Sequence, residues 1–237
     1  DGHVDLAMAN FNWGDVSVLY GRGDGSFDPE VRLPVGAQGW AVAVEDADGD
    51  GDNDLVHPSF WLNAVSILQN EGGRSLGHSL IRPHDGGTAV AVTAVDLNGD
   101  PFTDLVAVGP SGPNATDAMV LAMLGSPDGV NVAHETVLPG YNPRSIAAGD
   151  VDGDGRQDVA YANAASFPQV GGSLTVLRGM GDGSLELLTE LVQPYVNPLA
   201  VAIGDLNADG IADIVSAGLN SYFSNSPIYG HLTRYSG

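Results

Sequence analysis

The sequence contains no cysteine, which excludes a disulfide framework and a thiol nucleophile. Basic residues are also scarce: 8 Lys and Arg stand against 30 Asp and Glu, and the formal net charge is −22. Such a surface repels nucleic acid and anionic membranes unless cations intervene. No apolar run approaches the roughly 20 residues that a membrane-spanning helix needs. We therefore expect no nucleic-acid partner and no membrane span.

Motifs of the common enzyme classes are absent as well. The sequence has no G-x-S-x-G elbow, no Walker A loop and no dinucleotide-binding fingerprint. Its six histidines are scattered, and His134-Glu135 lacks the second histidine of a zinc-binding helix. We therefore expect no catalytic residue and no organic cofactor site in this chain.

Glycine and a repeated acidic motif dominate what is present. The 33 Gly and 14 Pro are dispersed along the chain, which indicates many short elements joined by tight turns. An acidic nonapeptide with Asp at positions 1, 5 and 9 and Asp or Asn at position 3 occurs at 46–54, 96–104, 150–158 and 205–213. The opening residues 1–5 match the last five positions of a fifth copy. The fifth positions lie 49, 50, 54 and 55 residues apart, which indicates tandem repeats.

Short runs typical of β-strands surround each nonapeptide. Runs of small apolar residues precede the four complete copies at 40–44, 88–92, 145–148 and 199–203. A second run begins at each closing aspartate, and a third and a fourth follow. Four strands in about 50 residues is the size of a propeller blade. We predict an all-β protein, a β-propeller of four-stranded antiparallel blades.

Two segments conflict with this prediction if propensity alone is considered. Residues 117–124 and 184–192 contain strong helix formers at near-helical spacing. The register of the repeat nevertheless assigns both to strands. We follow the register because tertiary context overrides local propensity.

The tripeptide Arg22-Gly23-Asp24 spells a ligand for adhesion receptors. Equivalent turns in other repeats read Gly-Met-Gly-Asp-Gly at 179–183 and Gly-Ser-Pro-Asp-Gly at 125–129. They share Asp-Gly, because a tight hairpin needs residues that tolerate positive φ, but they do not share the arginine. We therefore interpret the tripeptide as part of one hairpin turn without a receptor-binding role, with receptor docking as the alternative.

The acidic nonapeptide has the composition of a calcium site. Calcium takes 6–8 oxygen ligands from carboxylates, amides, backbone carbonyls and water. Positions 1, 3, 5 and 9 can converge on one ion, and the backbone carbonyl of position 7 is a natural further ligand. The predicted ligands are Asp46, Asp48, Asp50, Asp52 and Asp54; Asp96, Asn98, Asp100, Phe102 and Asp104; Asp150, Asp152, Asp154, Arg156 and Asp158; Asp205, Asn207, Asp209, Ile211 and Asp213; and Asp1, His3 and Asp5 of the partial copy.

The loops are not EF-hands. Position 12, which must be a bidentate glutamate in an EF-hand, is His57, Ala107, Tyr161 or Ser216 here. The alternative to calcium is a set of solvated acidic turns without metal. In the second complete loop Pro101 replaces the glycine at position 6, so its bend or its affinity should differ. Four calcium ions would add eight positive charges and bring the net charge from −22 to −14.

Taken together, the acidic nonapeptides, the small-residue strand before each and the Asp-Gly hairpins resemble FG-GAP/VCBS-type repeats over essentially the whole chain. The resemblance implies a calcium-binding β-propeller like those of integrin α-subunits, with Ca²⁺ in the loop between the first two strands of a blade. Family propellers usually have seven blades, so we expect a partial ring here. The predicted blades are residues 1–36 (partial), 37–85, 86–140, 141–195 and 196–237 (partial), with missing chain or a partner chain completing the ring.

Function is less constrained than fold. The ends of the strands opposite the acidic loops are rich in aromatic residues, and we predict ligand contacts there by Trp13, Trp40, Trp61 and Tyr222, although half-buried plugs between blades are the alternative. Loops of this kind have the weak calcium affinity of extracellular modules, which indicates a secreted or cell-surface protein. The leading hypothesis is a non-catalytic module that binds a glycan or an extracellular protein. The alternatives are the propeller part of a larger secreted polysaccharide lyase or hydrolase, and a purely structural unit.

Overall fold

The computed structural model describes residues 2–35, 39–60, 64–72, 76–77, 79–81, 87–111, 117–127, 129–139, 142–164, 172–193, 196–220 and 230–235. Within these ranges the chain forms eighteen β-strands and no helix. In the same ranges no helix is long and apolar enough to cross a membrane.

The strands form five antiparallel sheets that follow one another along the chain. Sheet 1 contains β1 (Leu6–Asn10), β2 (Asp15–Leu19) and β3 (Val31–Pro34). Sheet 2 contains β4 (Ala43–Glu45), β5 (Asp54–Ser59), β6 (Ala64–Leu68) and β7 (Ser79–Ile81). Sheet 3 contains β8 (Ala91–Val95), β9 (Asp104–Pro110), β10 (Asp117–Leu124) and β11 (Asn131–Pro139).

The last two sheets repeat the pattern. Sheet 4 contains β12 (Pro143–Gly149), β13 (Asp158–Asn163), β14 (Gly172–Gly179) and β15 (Leu185–Gln193). Sheet 5 contains β16 (Val196–Gly204), β17 (Asp213–Asn220) and β18 (Gly230–Tyr235). Within each sheet every strand pairs with its sequence neighbours.

The sheets are arranged as the blades of a propeller. The first strands of sheets 2 to 5, namely β4, β8, β12 and β16, contact one another in series, so they form the inner row of the arrangement. The all-β fold with four-stranded antiparallel blades is thereby confirmed. The two segments with helical propensity, in β10 and β15, are strands as the repeat register predicted.

Hydrophobic cores lie between neighbouring sheets. The second and third strands of sheets 2 to 4 are buried along almost their whole length, because both faces of these sheets pack against another blade. Leu105 of sheet 3 packs with Val56 and Val65 of sheet 2 in one such core. The second residue of an acidic loop also enters the core: Ala47 packs between sheets 2 and 3, and Val151 packs between sheets 4 and 5. These two acidic loops are therefore each anchored by a hydrophobic side chain of their own.

The outer faces of the two terminal sheets are apolar and uncovered. Leu6 and Met8 project from sheet 1 into solvent, and Leu206 and Leu219 do so from sheet 5. Leu206 occupies the second position of its loop, where Ala47, Leu97 and Val151 are buried in the other loops. The difference arises because, in the part of the chain that the structure describes, sheet 5 is the last sheet and no further sheet packs against its outer face.

All four complete acidic loops lie at one end of the sheets. Each joins the first strand of a sheet to the second, and the Asp-Gly hairpins after the third strands lie at the same end because the strands alternate in direction. The connection from β1 to β2 and the segment before β4 lie at the opposite end. We call the end with the acidic loops, which contain the predicted metal ligands, the metal-loop end. It and the opposite end are separate surfaces.

We predict that Leu105→Ala lowers the free energy of unfolding by about 2–5 kcal/mol, because it opens a cavity in the core between sheets 2 and 3. Leu105 is 0% exposed. The matched control is Leu206→Ala, which removes the same side chain at a site that is 58% exposed and should cost less than about 0.5 kcal/mol. Chemical denaturation measures both, and equal losses would contradict the packing described here.

Candidate metal centres

The first aspartate of each acidic loop organises the turn that follows it. The Asp150 carboxylate accepts backbone N–H groups from Gly153 (2.7 Å), Asp154 (3.2 Å) and Gly155 (2.9 Å). The carboxylates of Asp46 and Asp205 accept the N–H groups of the equivalent residues in their loops, at 2.7–3.2 Å. Three of the four complete loops therefore share one backbone conformation.

This conformation requires left-handed backbone at positions 4 and 6. Gly153 and Gly155 have φ values of 76° and 86°, and the loop that begins at Asp46 repeats this geometry. In the last loop position 4 is Ala208, which has φ 61°, a region that costs free energy for a residue with a Cβ. The loop geometry is therefore retained even where the sequence does not favour it.

The loop with Pro101 differs from the others in its hydrogen bonds. Proline has no N–H to donate, and its φ is fixed near −65°. Among the described hydrogen bonds, Asp96 accepts N–H groups from Asn98 (3.3 Å) and Gly99 (2.7 Å) and none from positions 5 and 6. The Asp96 carboxylate is thus less constrained by its own loop than Asp150 is.

The aspartate at position 9 of an acidic loop connects three elements by hydrogen bonds. Asp158 is 0% exposed; its Oδ2 accepts the N–H of Val151 (3.0 Å) and its Oδ1 accepts the N–H of Gly179 (2.9 Å). Asp54 and Asp104 bind the equivalent residues of their own loops and hairpins at 2.8–2.9 Å. In the partial copy the Asp5 carboxylate accepts the N–H of Gly21 at 2.7 Å. Each of these aspartates thus links a loop or second strand to the start of a hairpin.

Burial of these carboxylates makes their negative charge costly. Desolvation raises the pKa values of Asp54, Asp104 and Asp158 above the ordinary value, although the backbone N–H donors oppose the shift. Nearby carboxylates raise them further; for Asp158 these are Asp152 and Asp154. A divalent cation would offset this repulsion.

The carboxylates converge closely enough to share an ion. One ligand oxygen from each of Asp46, Asp48 and Asp50 lies within 4.8 Å of the others, and the same holds for Asp150, Asp152 and Asp158. An oxygen that accepts one N–H retains a second lone pair for a metal. The donor set is all oxygen, as a hard cation such as Ca²⁺ requires. The residues therefore fit the predicted ion in two loops.

The two loops with asparagine at position 3 are arranged differently. The amide nitrogens of Asn98 and Asn207 donate to the carboxylates of Asp100 (2.7 Å) and Asp209 (2.6 Å). Their amide oxygens accept the N–H groups of the same two aspartates. An asparagine here satisfies a neighbouring carboxylate, so these loops carry less uncompensated charge.

Arginine partly neutralises one loop. Arg156 pairs with Asp154 at 2.5 Å, and Arg178 pairs with Asp152. In the loop that begins at Asp46 the corresponding contact is uncharged, because the Gln69 amide donates to Asp48 at 3.1 Å. Calcium in the loop that begins at Asp150 would therefore compete with two guanidinium groups for carboxylate oxygens.

The hairpin with the Arg-Gly-Asp tripeptide has the same hydrogen bonds as its counterpart in sheet 4. The Asp24 carboxylate accepts the N–H of Ser26 at 2.9 Å, and Asp182 accepts the N–H of Ser184 at 3.0 Å. Arg22 pairs with Asp28 at 2.7 Å. The turn geometry thus agrees with a structural interpretation of the tripeptide.

Two of the predicted ligand-contact residues lie at the end opposite the acidic loops. Trp13 and Trp40 are 75% and 55% exposed. Phe11, which the sequence did not single out, stacks on Trp40 with ring centroids 3.9 Å apart. We call Phe11, Trp13 and Trp40 the aromatic surface. Trp61, Tyr222 and Asp1 lie outside the described residues.

Two arginines border the aromatic surface. The Arg32 guanidinium lies 5.1 Å from the Trp13 ring centroid, and Arg144 lies 6.0 Å from that of Trp40. Arg32 also pairs with Asp15 at 2.6 Å. Phe11, Trp40 and Arg144 belong to sheets 1, 2 and 4, so repeat analysis alone could not bring them together.

We predict that Asp150→Ala destabilises the calcium-free protein by about 1–3 kcal/mol, because three backbone N–H groups lose their acceptor. Arg22→Ala is the control: its ion pair is exposed and should contribute less than about 1 kcal/mol. Thermal unfolding of the two variants and the wild type gives the comparison. Equal effects would contradict the organising role of the first aspartate.

Comparison with known proteins identifies the repeat. Residues 1–57 and 96–161 match the family described as FG-GAP-like repeat. No match was found among curated proteins. Among solved structures, a hydrazine synthase of Kuenenia stuttgartiensis aligns over 98% of this chain and 59% of its own, with a TM-score of 0.66 at 12% identity.

Two further structures align with most of this chain. An exo-β-1,3-galactanase of Phanerochaete chrysosporium, solved with β-1,3-galactotriose, aligns over 86% of this chain and 50% of its own, with a TM-score of 0.52 at 10% identity. An Agrocybe aegerita lectin that recognises non-reducing terminal N-acetylglucosamine aligns over 95% and 65%, with a TM-score of 0.48 at 18% identity. The chain thus spans half to two thirds of these proteins, and its likeness to the hydrazine synthase and the galactanase concerns the fold alone. The family match covers more than half of the chain, and the protein belongs to the FG-GAP-like repeat family.

Proposed function

We propose that the chain is a calcium-stabilised extracellular β-propeller module that binds a glycan, without catalysis, through the aromatic surface. The proposal of bound calcium rests on one observation: in each of two copies of the repeated loop, oxygens of three carboxylates lie within 4.8 Å of one another. We infer one ion for each of the four complete loops and a fifth, partial site at Asp1, His3 and Asp5. We also propose that the backbone carbonyl at position 7 of each loop is a ligand of its ion; these residues are Asp52, Phe102, Arg156 and Ile211.

Electrostatics supports a structural role for the metal. The acidic loops and the partial copy hold 17 of the 30 acids of the chain, and they hold them at one end of the sheets. Without cations these carboxylates repel one another, and buried Asp54, Asp104 and Asp158 add a desolvation cost. An ion that binds the folded loops alone stabilises the fold by mass action.

We predict that chelation of calcium lowers the melting temperature by roughly 6–28 °C. Four sites with dissociation constants of about 10⁻⁴–10⁻³ M contribute about 3–7 kcal/mol in 2 mM calcium, and 1 kcal/mol corresponds to roughly 2–4 °C for a domain of this size. Calorimetry with EGTA and then with restored calcium measures the shift, with magnesium as the control ion. An unchanged midpoint would contradict structural calcium.

The aromatic surface supports glycan binding. Sugar rings present C–H faces that pack on exposed aromatic rings, and Trp13 and Trp40 are largely exposed in the protein. Phe11 holds the Trp40 ring from one side, so the ring is positioned before a ligand arrives. Weak extracellular calcium affinity and a surface of this type together suit a secreted or cell-surface module.

We predict that Trp40→Ala abolishes binding on a glycan array that the wild type binds, and that Trp13→Ala weakens it. Phe27→Ala is the matched control, because Phe27 is an exposed aromatic residue at the metal-loop end. Binding that survives both tryptophan variants would contradict the proposed surface. If the wild type binds no glycan but captures an extracellular protein through Trp40, the module is a protein binder; if neither occurs, it is a structural unit.

We also propose that the five sheets are blades with boundaries at 1–36, 37–85, 86–140, 141–195 and 196–237, and that additional chain or a partner chain covers the two uncovered terminal faces. The supporting observation is the exposure of Leu6 and Met8 at one end and of Leu206 and Leu219 at the other. Such faces favour association with further blades. A catalytic domain elsewhere in a longer secreted enzyme is compatible with this arrangement, and the length of the gene product tests it.

A further inference from the structure

We propose that the glycan bound at the aromatic surface is acidic, and that Arg144 binds the carboxylate of a uronic acid residue. This inference rests on the proposed glycan-binding function and specifies its ligand class. It comes from the position of one arginine in a chain that has few cations.

Arg144 differs from the other arginines whose side chains the structure describes. Those four are each paired with an aspartate: Arg22 with Asp28, Arg32 with Asp15, Arg156 with Asp154 and Arg178 with Asp152. Arg144 is exposed and, within the described part of the chain, lies within ion-pair distance of no carboxylate. Its described contact is with the ring of Trp40. It is therefore a cation available to an anionic ligand.

The contact with Trp40 prepares the guanidinium for such a ligand. The N–H groups of a guanidinium lie in its plane, so an aromatic ring against its face leaves them free. They can then bind a carboxylate through two parallel hydrogen bonds. The contact with Trp40, at 6.0 Å, also restricts the side-chain conformations of Arg144, so less entropy is lost when a ligand binds. A sugar packed on the exposed part of Trp40 brings a ring carboxylate within reach of Arg144.

The overall negative charge does not prevent this interaction. The segment from Trp40 to Asp46 runs along the first strand of sheet 2, so about 20 Å separates the aromatic surface from the acidic loops. The screening length at physiological ionic strength is about 8 Å, so the loop charges are largely screened at that distance. The nearer acid Asp15 is already paired with Arg32. The described charge in contact with the Trp40 ring is that of Arg144.

The test uses pairs of sugars that differ in charge alone. Trimers of α-1,4-linked galacturonic acid and of β-1,4-linked glucuronic acid are each compared with their methyl esters by isothermal titration calorimetry in 2 mM calcium. We expect at least one acid to bind about tenfold more tightly than its ester. Arg144→Gln should remove that preference while the ester affinity stays the same. Arg22→Gln, which removes a paired arginine at the other end of the protein, should preserve the preference.

The outcomes separate this inference from the function on which it rests. Equal affinity for acid and ester, or a preference that survives Arg144→Gln, would overturn the role of Arg144 and leave glycan binding intact. If the protein binds only neutral glycans on the array, the role of Arg144 is likewise overturned and glycan binding still stands. If no glycan of either kind binds the calcium-loaded protein, both the inference and the glycan-binding function are wrong. A melting temperature equal to that of the wild type shows that Arg144→Gln is folded.

Discussion

The fold depends on a buried aspartate that ends each acidic loop. In the loops that end at Asp54, Asp104 and Asp158 its carboxylate receives one N–H from the second residue of the loop and another from the hairpin after the third strand. In the last loop Asp213 accepts the N–H of the second residue, Leu206. Loop, second strand and hairpin are therefore fixed relative to one another at the metal-loop end of the sheet. In the first three complete loops the second residue (Ala47, Leu97 or Val151) also enters the hydrophobic core between neighbouring sheets, so the same short segment joins one blade to the next.

This arrangement gives the acidic loops two roles that conflict without a cation. As hydrogen-bond acceptors the aspartates organise the turns, but as charges they repel one another and raise the pKa of the buried member. The protein reduces the conflict in different ways: asparagine replaces aspartate at Asn98 and Asn207, and arginine pairs with Asp152 and Asp154. Calcium would resolve it in all the loops at once. The charge balance of the acidic loops and the packing of the blades therefore depend on the same residues.

Repeat register was the sequence feature with the greatest predictive value. It assigned residues 117–124 and 184–192 to strands against their helical propensity, because a repeat that packs on identical neighbours must keep the same structure. It also indicated that the loop with Pro101 would differ. It could not indicate the second bond of Asp158, because Gly179 is 21 residues away and its approach depends on strand pairing. Nor could it bring Phe11, Trp40 and Arg144 together, because these residues come from three different sheets and no single repeat contains their spacing.

The central claim is that the acidic loops hold calcium, and counting the bound ions tests it most directly. Protein dialysed to equilibrium against 2 mM calcium is analysed by atomic absorption, with a parallel sample in which Asp46, Asp96, Asp150 and Asp205 are all replaced by alanine. The account predicts about three to four ions per chain in the first sample, because the four complete loops are about two-thirds or more occupied at 2 mM calcium, and a loss of nearly all of them in the second. A wild-type protein that binds no calcium, or a substituted protein that binds as much as the wild type, would contradict it.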